Sequence, residues 1–104
     1  MKAFPLDVTT DASGNGSVTF RATKASVIFR VQKIVATMGA VSSGRASLFK
    51  NGTFLTAMPI AARMEATGPE DLHTSEYLTG QIENGPMSTL VNWVFYYDEI
   101  PDNP

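Results

Sequence analysis

Residues 45–58 read RASLFKNGTFLTAM. Two short runs of strand-forming residues flank Asn51-Gly52. Type I′ hairpin turns need φ > 0 at both central residues, and Asn-Gly meets that need best. A two-residue turn sets the register outward from itself: Lys50 opposite Thr53, Phe49 opposite Phe54, Leu48 opposite Leu55, Ser47 opposite Thr56. Side chains alternate along a strand, so Phe49 and Phe54 share one face. Leu48 and Leu55 share the other, beside Lys50 and Thr53. We expect the phenylalanines to join Phe29 and Trp93 in the core, leaving the leucines outward as a partner surface. The reversed assignment, leucines in and phenylalanines out, exposes a larger apolar patch and points to a partner just as well.

The flanking segments carry the same signature. Residues 25–38, ASVIFRVQKIVATM, are rich in Val, Ile, Phe and Thr, which favours a strand over a helix. Val27, Phe29 and Val31 fall on one face. After Gln32 the phase is lost, and a bulge at Gln32-Lys33 would re-aim the side chains and bend the strand. Phe4, Leu6 and Val8 alternate with other residues, and Pro5 marks an edge strand or a strand start. DASGNG at residues 11–16 is a turn, and residues 17–22 place Val18 and Phe20 inward, so the two strands read as a first hairpin.

Residues 61–66, AARMEA, have helix-forming composition and suggest a single turn. Residues 67–74, TGPEDLHT, read as a polar loop. Residues 75–83 read as a strand with Leu78 and Ile82 on one face and Tyr77 on the other, weakened by Gly80. Residues 87–97 are the cleanest strand, with Met87, Thr89, Val91, Trp93, Phe95 and Tyr97 on the core face. The expected fold is all-β: an antiparallel β-sandwich of about seven strands with jelly-roll or Ig-like connectivity. One domain is expected over residues 1–98, with a Pro-rich acidic tail at 99–104.

Composition narrows the function classes. The 104 residues include no cysteine, so there is no disulfide framework and no thiolate metal site. The N-terminal MKAFPLDVTT lacks the apolar run of a signal peptide, and no stretch approaches the ~20 apolar residues of a membrane helix. Charge is divided along the chain. Residues 1–63 hold all eight Lys and Arg against Asp7 and Asp11, while the other eight acids lie in residues 64–104. Interleaved strands would neutralise this split within one fold; otherwise oppositely charged surfaces would meet between copies, head to tail. The cations stand singly, with no RNA-binding motif beside them, which disfavours nucleic acid.

Chemistry-bearing motifs are sparse. Asp71, His73 and Ser75 are close in sequence, but no nucleophile-elbow glycines surround either serine, and a loop histidine is the expected reading. Glu70, Asp71 and Glu76 are a calcium candidate without an EF-hand pattern. Adjacent carboxylates on a strand face opposite ways, so no paired-acid site is expected. No cofactor is implied. Trp93 belongs to the core face, while Tyr96 and Tyr77 are candidates for a carbohydrate-stacking platform.

The run VIFRVQKIVATMGAVSSGRASLFKNGTFLTA resembles small β-sandwich accessory proteins of tailed-bacteriophage virions, such as capsid decoration proteins. The resemblance rests on Phe29, Val31 and Ile34 in a long strand, a small-residue loop, and Leu48-Phe49-Lys50-Asn51-Gly52. Asn92-Trp93-Val94 and Tyr97-Asp98-Glu99 complete it, over residues 26–99. It implies a non-enzymatic virion protein on the capsid exterior, assembled in the host cytoplasm. The implied partners are the major capsid protein and copies of itself, with a trimer the expected form. A tail or head–tail junction protein and a carbohydrate-binding module are the alternatives. The partner-interface candidates are Leu48, Leu55, Lys50, Thr53 and Tyr96.

Overall fold

A computed structural model describes residues 1–102. Eight strands follow one another: β1 (Lys2–Thr9), β2 (Gly16–Arg21), β3 (Val27–Met38), β4 (Arg45–Lys50), β5 (Thr53–Pro59), β6 (Arg63–Leu72), β7 (Tyr77–Glu83) and β8 (Leu90–Pro101). They form two four-stranded sheets, ordered β1-β8-β3-β6 and β2-β7-β4-β5, with antiparallel pairing throughout. This is the jelly-roll arrangement, which decides between the two expected connectivities.

The strand assignment needs four corrections. β1 and β2 are not a hairpin: β1 pairs with β8 and β2 with β7, in different sheets. Their linking turn is held by Asp11, whose carboxylate accepts the Ser13 and Asn15 amides, so it spans the layers. The expected helical turn and polar loop at residues 61–74 are largely β6. A six-residue helix cannot repay its nucleation cost, whereas pairing with β3 sets Met64 opposite Ala36 and Ala66 opposite Ile34. Residues 87–89 are not strand: Ser88 turns the chain at φ 50°, and β8 starts at Leu90. At the other end β8 continues past Tyr97 to Pro101, paired with Val27, so residues 99–101 of the expected tail are sheet. Residues 103–104 of that tail lie outside the described residues.

The bulge in β3 falls where the loss of phase requires it. The register shifts between Val31 and Lys33. Before it Phe29 and Val31 are buried; after it Ile34, Ala36 and Met38 are. The inward face therefore switches from odd to even positions. On β8, Val91, Trp93, Phe95 and Tyr97 are buried as alternation predicts, and on β7 Leu78 and Ile82 are completely buried. Phe20 of β2 stacks on Phe95 of β8, with ring centroids 5.0 Å apart, which locks one sheet onto the other. Gly80 is needed for the same closure. A Cβ there would lie 2.6 Å from Cζ3 of Trp93.

Interleaving also disposes of the charge split. Every sheet neighbour of β8, β6 and β7 comes from the basic half of the chain. Lys2 and Lys24 both reach Glu99, Arg30 pairs with Asp71, Lys33 and Arg63 with Glu65, Arg45 with Glu83, and Lys50 with Glu70. Charges that look polarised along the sequence are adjacent in space.

Candidate docking face

Asn51 (φ 50°) and Gly52 (φ 84°) make the expected turn, and the first two rungs are as expected: Lys50 opposite Thr53 and Phe49 opposite Phe54. Beyond them the register shifts. Leu48 faces Thr56, Ser47 faces Ala57 and Ala46 faces Met58, leaving Leu55 as an extra residue in β5. Packing explains the bulge. An unbroken register would set Met58 opposite Arg45, facing solvent. The extra residue turns Met58 inward against the core.

The face assignment therefore corrects. Leu48 is core, 3 % exposed, and is not a partner-surface residue. Phe49 and Phe54 point outward and pack edge-to-face, with centroids 5.8 Å apart. Phe54 is 52 % exposed and Leu55 38 %. For Leu48 and both phenylalanines the reversed assignment is the right one.

The remaining candidates scatter. Lys50 is half-buried and its Nζ donates to the Asp71 carbonyl at 2.8 Å, with Glu70 3.8 Å away. Thr53 is exposed at the turn. Tyr96 sits on the opposite sheet, with the Lys33 ammonium 4.8 Å from its ring centroid. Tyr77 is likewise covered, by the Arg21 guanidinium at 4.5 Å. Each tyrosine ring thus already carries a cation on its face. Leu48, Leu55, Lys50, Thr53 and Tyr96 do not form one surface.

The loop around His73 is built as a structural tie. Asn51 donates to Glu76 at 2.9 Å and accepts the Tyr77 amide at 3.0 Å, which fastens the hairpin turn to the loop between β6 and β7. Glu76 also accepts the His73 amide at 2.8 Å, and its Oε1 lies 3.1 Å from His73 Nδ1. Asp71 binds Arg30 through both oxygens, at 2.8 and 3.0 Å. His73 and Asp71 are thus committed to other partners, and the structure does not assemble the Asp71–His73–Ser75 arrangement. Among the described residues no three His, Asp or Glu side chains gather as metal ligands.

These ties lower carboxylate pKa values. The Arg30 hydrogen bonds hold Asp71 below its usual range, the His73 amide does so for Glu76, and the Lys2 and then Lys24 ammonium groups for Glu99. The amides of Asn15 and Ser13 act likewise on Asp11. A carboxylate with a depressed folded-state pKa contributes stability above its unfolded value of about 4, and loses it as pH falls through the folded value. Thermal melts are expected to be flat from neutrality to about pH 5 and to fall steadily below about pH 4. Asp71→Asn should flatten the acid limb.

Two outer faces result, and they differ in kind. On sheet β1-β8-β3-β6 the rungs Ala3–Tyr96–Lys33–Thr67, Pro5–Val94–Val35–Glu65 and Asp7–Asn92–Thr37–Arg63 each carry charge. On sheet β2-β7-β4-β5 the two central rungs are Thr19–Thr79–Phe49–Phe54 and Ser17–Gln81–Ser47–Ala57, with no charged residue. Charge returns only at the two ends, at Arg21 and at the Arg45–Glu83 pair. The sequence signal for this face was available in β4, where Ala46 and Leu48 alternate with Ser47 and Phe49. The strong turn signal and the size of the phenylalanines masked it.

Beside this face the sandwich gapes. A cavity of about 240 Å³ lies between the sheets at the edge formed by β5 and β6, lined by Val31, Ile34, Leu48, Leu55, Ala66 and Leu78 among others. Leu55, the bulge residue, stands at its rim.

No protein-family model matches the chain, and neither does any curated protein. Among solved structures it is similar to part of the insecticidal delta-endotoxin Cry8Ea1 from Bacillus thuringiensis, with 15% identity and a TM-score of 0.46 over 95% of this chain. A second is dimeric latent PorU from Porphyromonas gingivalis, with 12% identity and a TM-score of 0.44, again over 95% of this chain. The chain spans 20% and 13% of those two proteins.

Proposed function

We propose that this chain is a non-catalytic assembly module that docks through the outer face of sheet β2-β7-β4-β5. The observation that carries this reading is the uncharged double rung with Phe54 exposed and Phe49 packed against it. Among the described residues seven of the eight Lys and Arg are paired within the fold, and the middle of this face carries no charge. Depletion of charge and enrichment in aromatics distinguish the buried centre of protein interfaces from ordinary surface.

The size of the face suits a repeated contact. Four strands at about 4.8 Å span about 19 Å, and six residues at about 3.3 Å span about 20 Å, giving roughly 400 Å². That is about half of what one partner gives to a standard interface of ~800 Å² a side. Such a contact is weak alone and becomes effective when many copies bind one lattice. The resemblance of residues 26–99 to virion accessory sandwiches supports a bacteriophage particle as that lattice, with the major capsid protein as partner and the capsid exterior as the place. The module then adds contact area between shell subunits without chemistry. A tail position uses the same face. The cations over Tyr96 and Tyr77 weigh against the carbohydrate alternative. Radical labelling of the chain, free and in purified particles, tests the proposal: Phe49 and Phe54 become protected.

A further inference from the structure

We infer that the free edge of β5 pairs with the β5 edge of a second copy about a two-fold axis, joining two four-stranded sheets into one of eight. The inference rests on the docking-face reading, because it names the partner at the rim of that face.

The four edge strands of the sandwich are unequal. β1 carries Lys2, Pro5 and Asp7, β6 carries Arg63, Glu65, Pro69, Glu70 and Asp71, and β2 ends in Arg21. β5, TFLTAMP, has no charged residue. Edge strands expose unpaired N–H and C=O groups, and charge or proline on the edge is the usual protection against pairing. β5 lacks the first, and its proline stands only at the final position. Two identical uncharged edges meet without like-charge repulsion, so β5 is its own complement in an isologous contact.

Face parity requires the pairing axis to pass through a residue, and Ala57 meets that requirement. Thr56 and Met58 face inward, opposite Leu48 and Ala46, while Ala57 faces outward opposite Ser47. Residues opposite one another in antiparallel strands lie on the same face. An axis at Ala57 sets Ala57 against its own copy and Thr56 against Met58, and parity holds at all three rungs. Ala57 is exposed and small, so the strands can close on it. The pairing also brings the exposed Phe54 and Leu55 to the junction and covers the rim of the cavity beside Leu55.

Area gives the second argument. One copy offers a docking face of roughly 400 Å²; the joined sheet offers roughly 800 Å², the standard size for one side of a stable interface. Edge pairing uses β5 of both copies, so the unit is a dimer and not the expected trimer.

Sedimentation velocity of the full chain, from on the order of 10 μM to 1 mM, tests this. The wild type is expected to move from 11.2 kDa towards twice that mass. Ala57→Lys, an exposed edge substitution, is expected to hold the chain at the monomer mass with an unchanged melting curve. Ala3→Lys, on the β1 edge, is expected to behave as wild type. A wild type that stays monomeric throughout, or an Ala57→Lys chain that associates as the wild type does, overturns the pairing. If the pairing fails while Phe54 is still protected in particles, the docking face stands on its own. Loss of that protection from a chain that dimerises rejects the face and spares the dimer.

Discussion

Trp93→Ala is expected to destabilise the protein by about 3–5 kcal/mol, the range for deleting a large aromatic from a core. Trp93 is almost wholly buried and stacks near Phe95, at a centroid distance of 6.4 Å. It also bears on Gly80 of the opposite sheet, where no Cβ could fit. Gly80→Ala should therefore cost about 1–3 kcal/mol by overpacking. Gly80 does not have a positive φ, so the alanine brings no backbone strain of its own. In the Trp93→Ala background the same change should cost little or become favourable, because the clash partner is gone. A double-mutant cycle by urea unfolding reads the coupling directly. The indole N–H of Trp93 has no hydrogen-bond partner among the described residues, so Trp93→Phe should be much milder than Trp93→Ala. Additive costs for Gly80→Ala and Trp93→Ala would contradict this packing.

Leu48→Ala and Phe54→Ala should separate sharply. Leu48 is core, and its truncation is expected to cost about 2–5 kcal/mol. Phe54 is half-exposed and loses mainly its edge contact with Phe49, worth roughly 0.5–1.5 kcal/mol. Denaturant midpoints measure both. The opposite ranking would restore the assignment with phenylalanines inward and remove the aromatic docking face.

The hairpin shows what a sequence can carry and where it stops. Asn51-Gly52 specifies the turn through backbone sterics alone, which is local, so the turn and its first two rungs are legible. Which face meets the core is not local. It depends on Leu78 and Val31 arriving beside Leu48, and on Met58 needing an inward position that only a bulge supplies. The bulge in β3 was legible for the opposite reason: adjacent apolar residues Ile34 and Val35 break the alternation within the strand itself. β6 was missed because its polar residues pair with cations of distant strands, Asp71 with Arg30 and Glu70 with Lys50. Its apolar alternation is only Met64 and Ala66, and Gly68-Pro69 interrupts it before Leu72. The candidate site suffered the same way. Lys50 and Tyr96 look like free surface groups in the sequence, yet one is held by the Asp71 carbonyl and the other lies under Lys33. The uncharged face was never visible as a unit, because its rungs draw on four separate strands.

Hydroxyl-radical labelling of Phe49, Phe54 and Tyr96, on the free chain and, under the proposed virion placement, on the chain within purified particles, tests the docking face most directly. Phe54 and Phe49 are predicted to lose most of their labelling in the particle while Tyr96, on the charged face, keeps its own. Undiminished labelling of Phe54 in the particle, or protection of Tyr96 in its place, would contradict it.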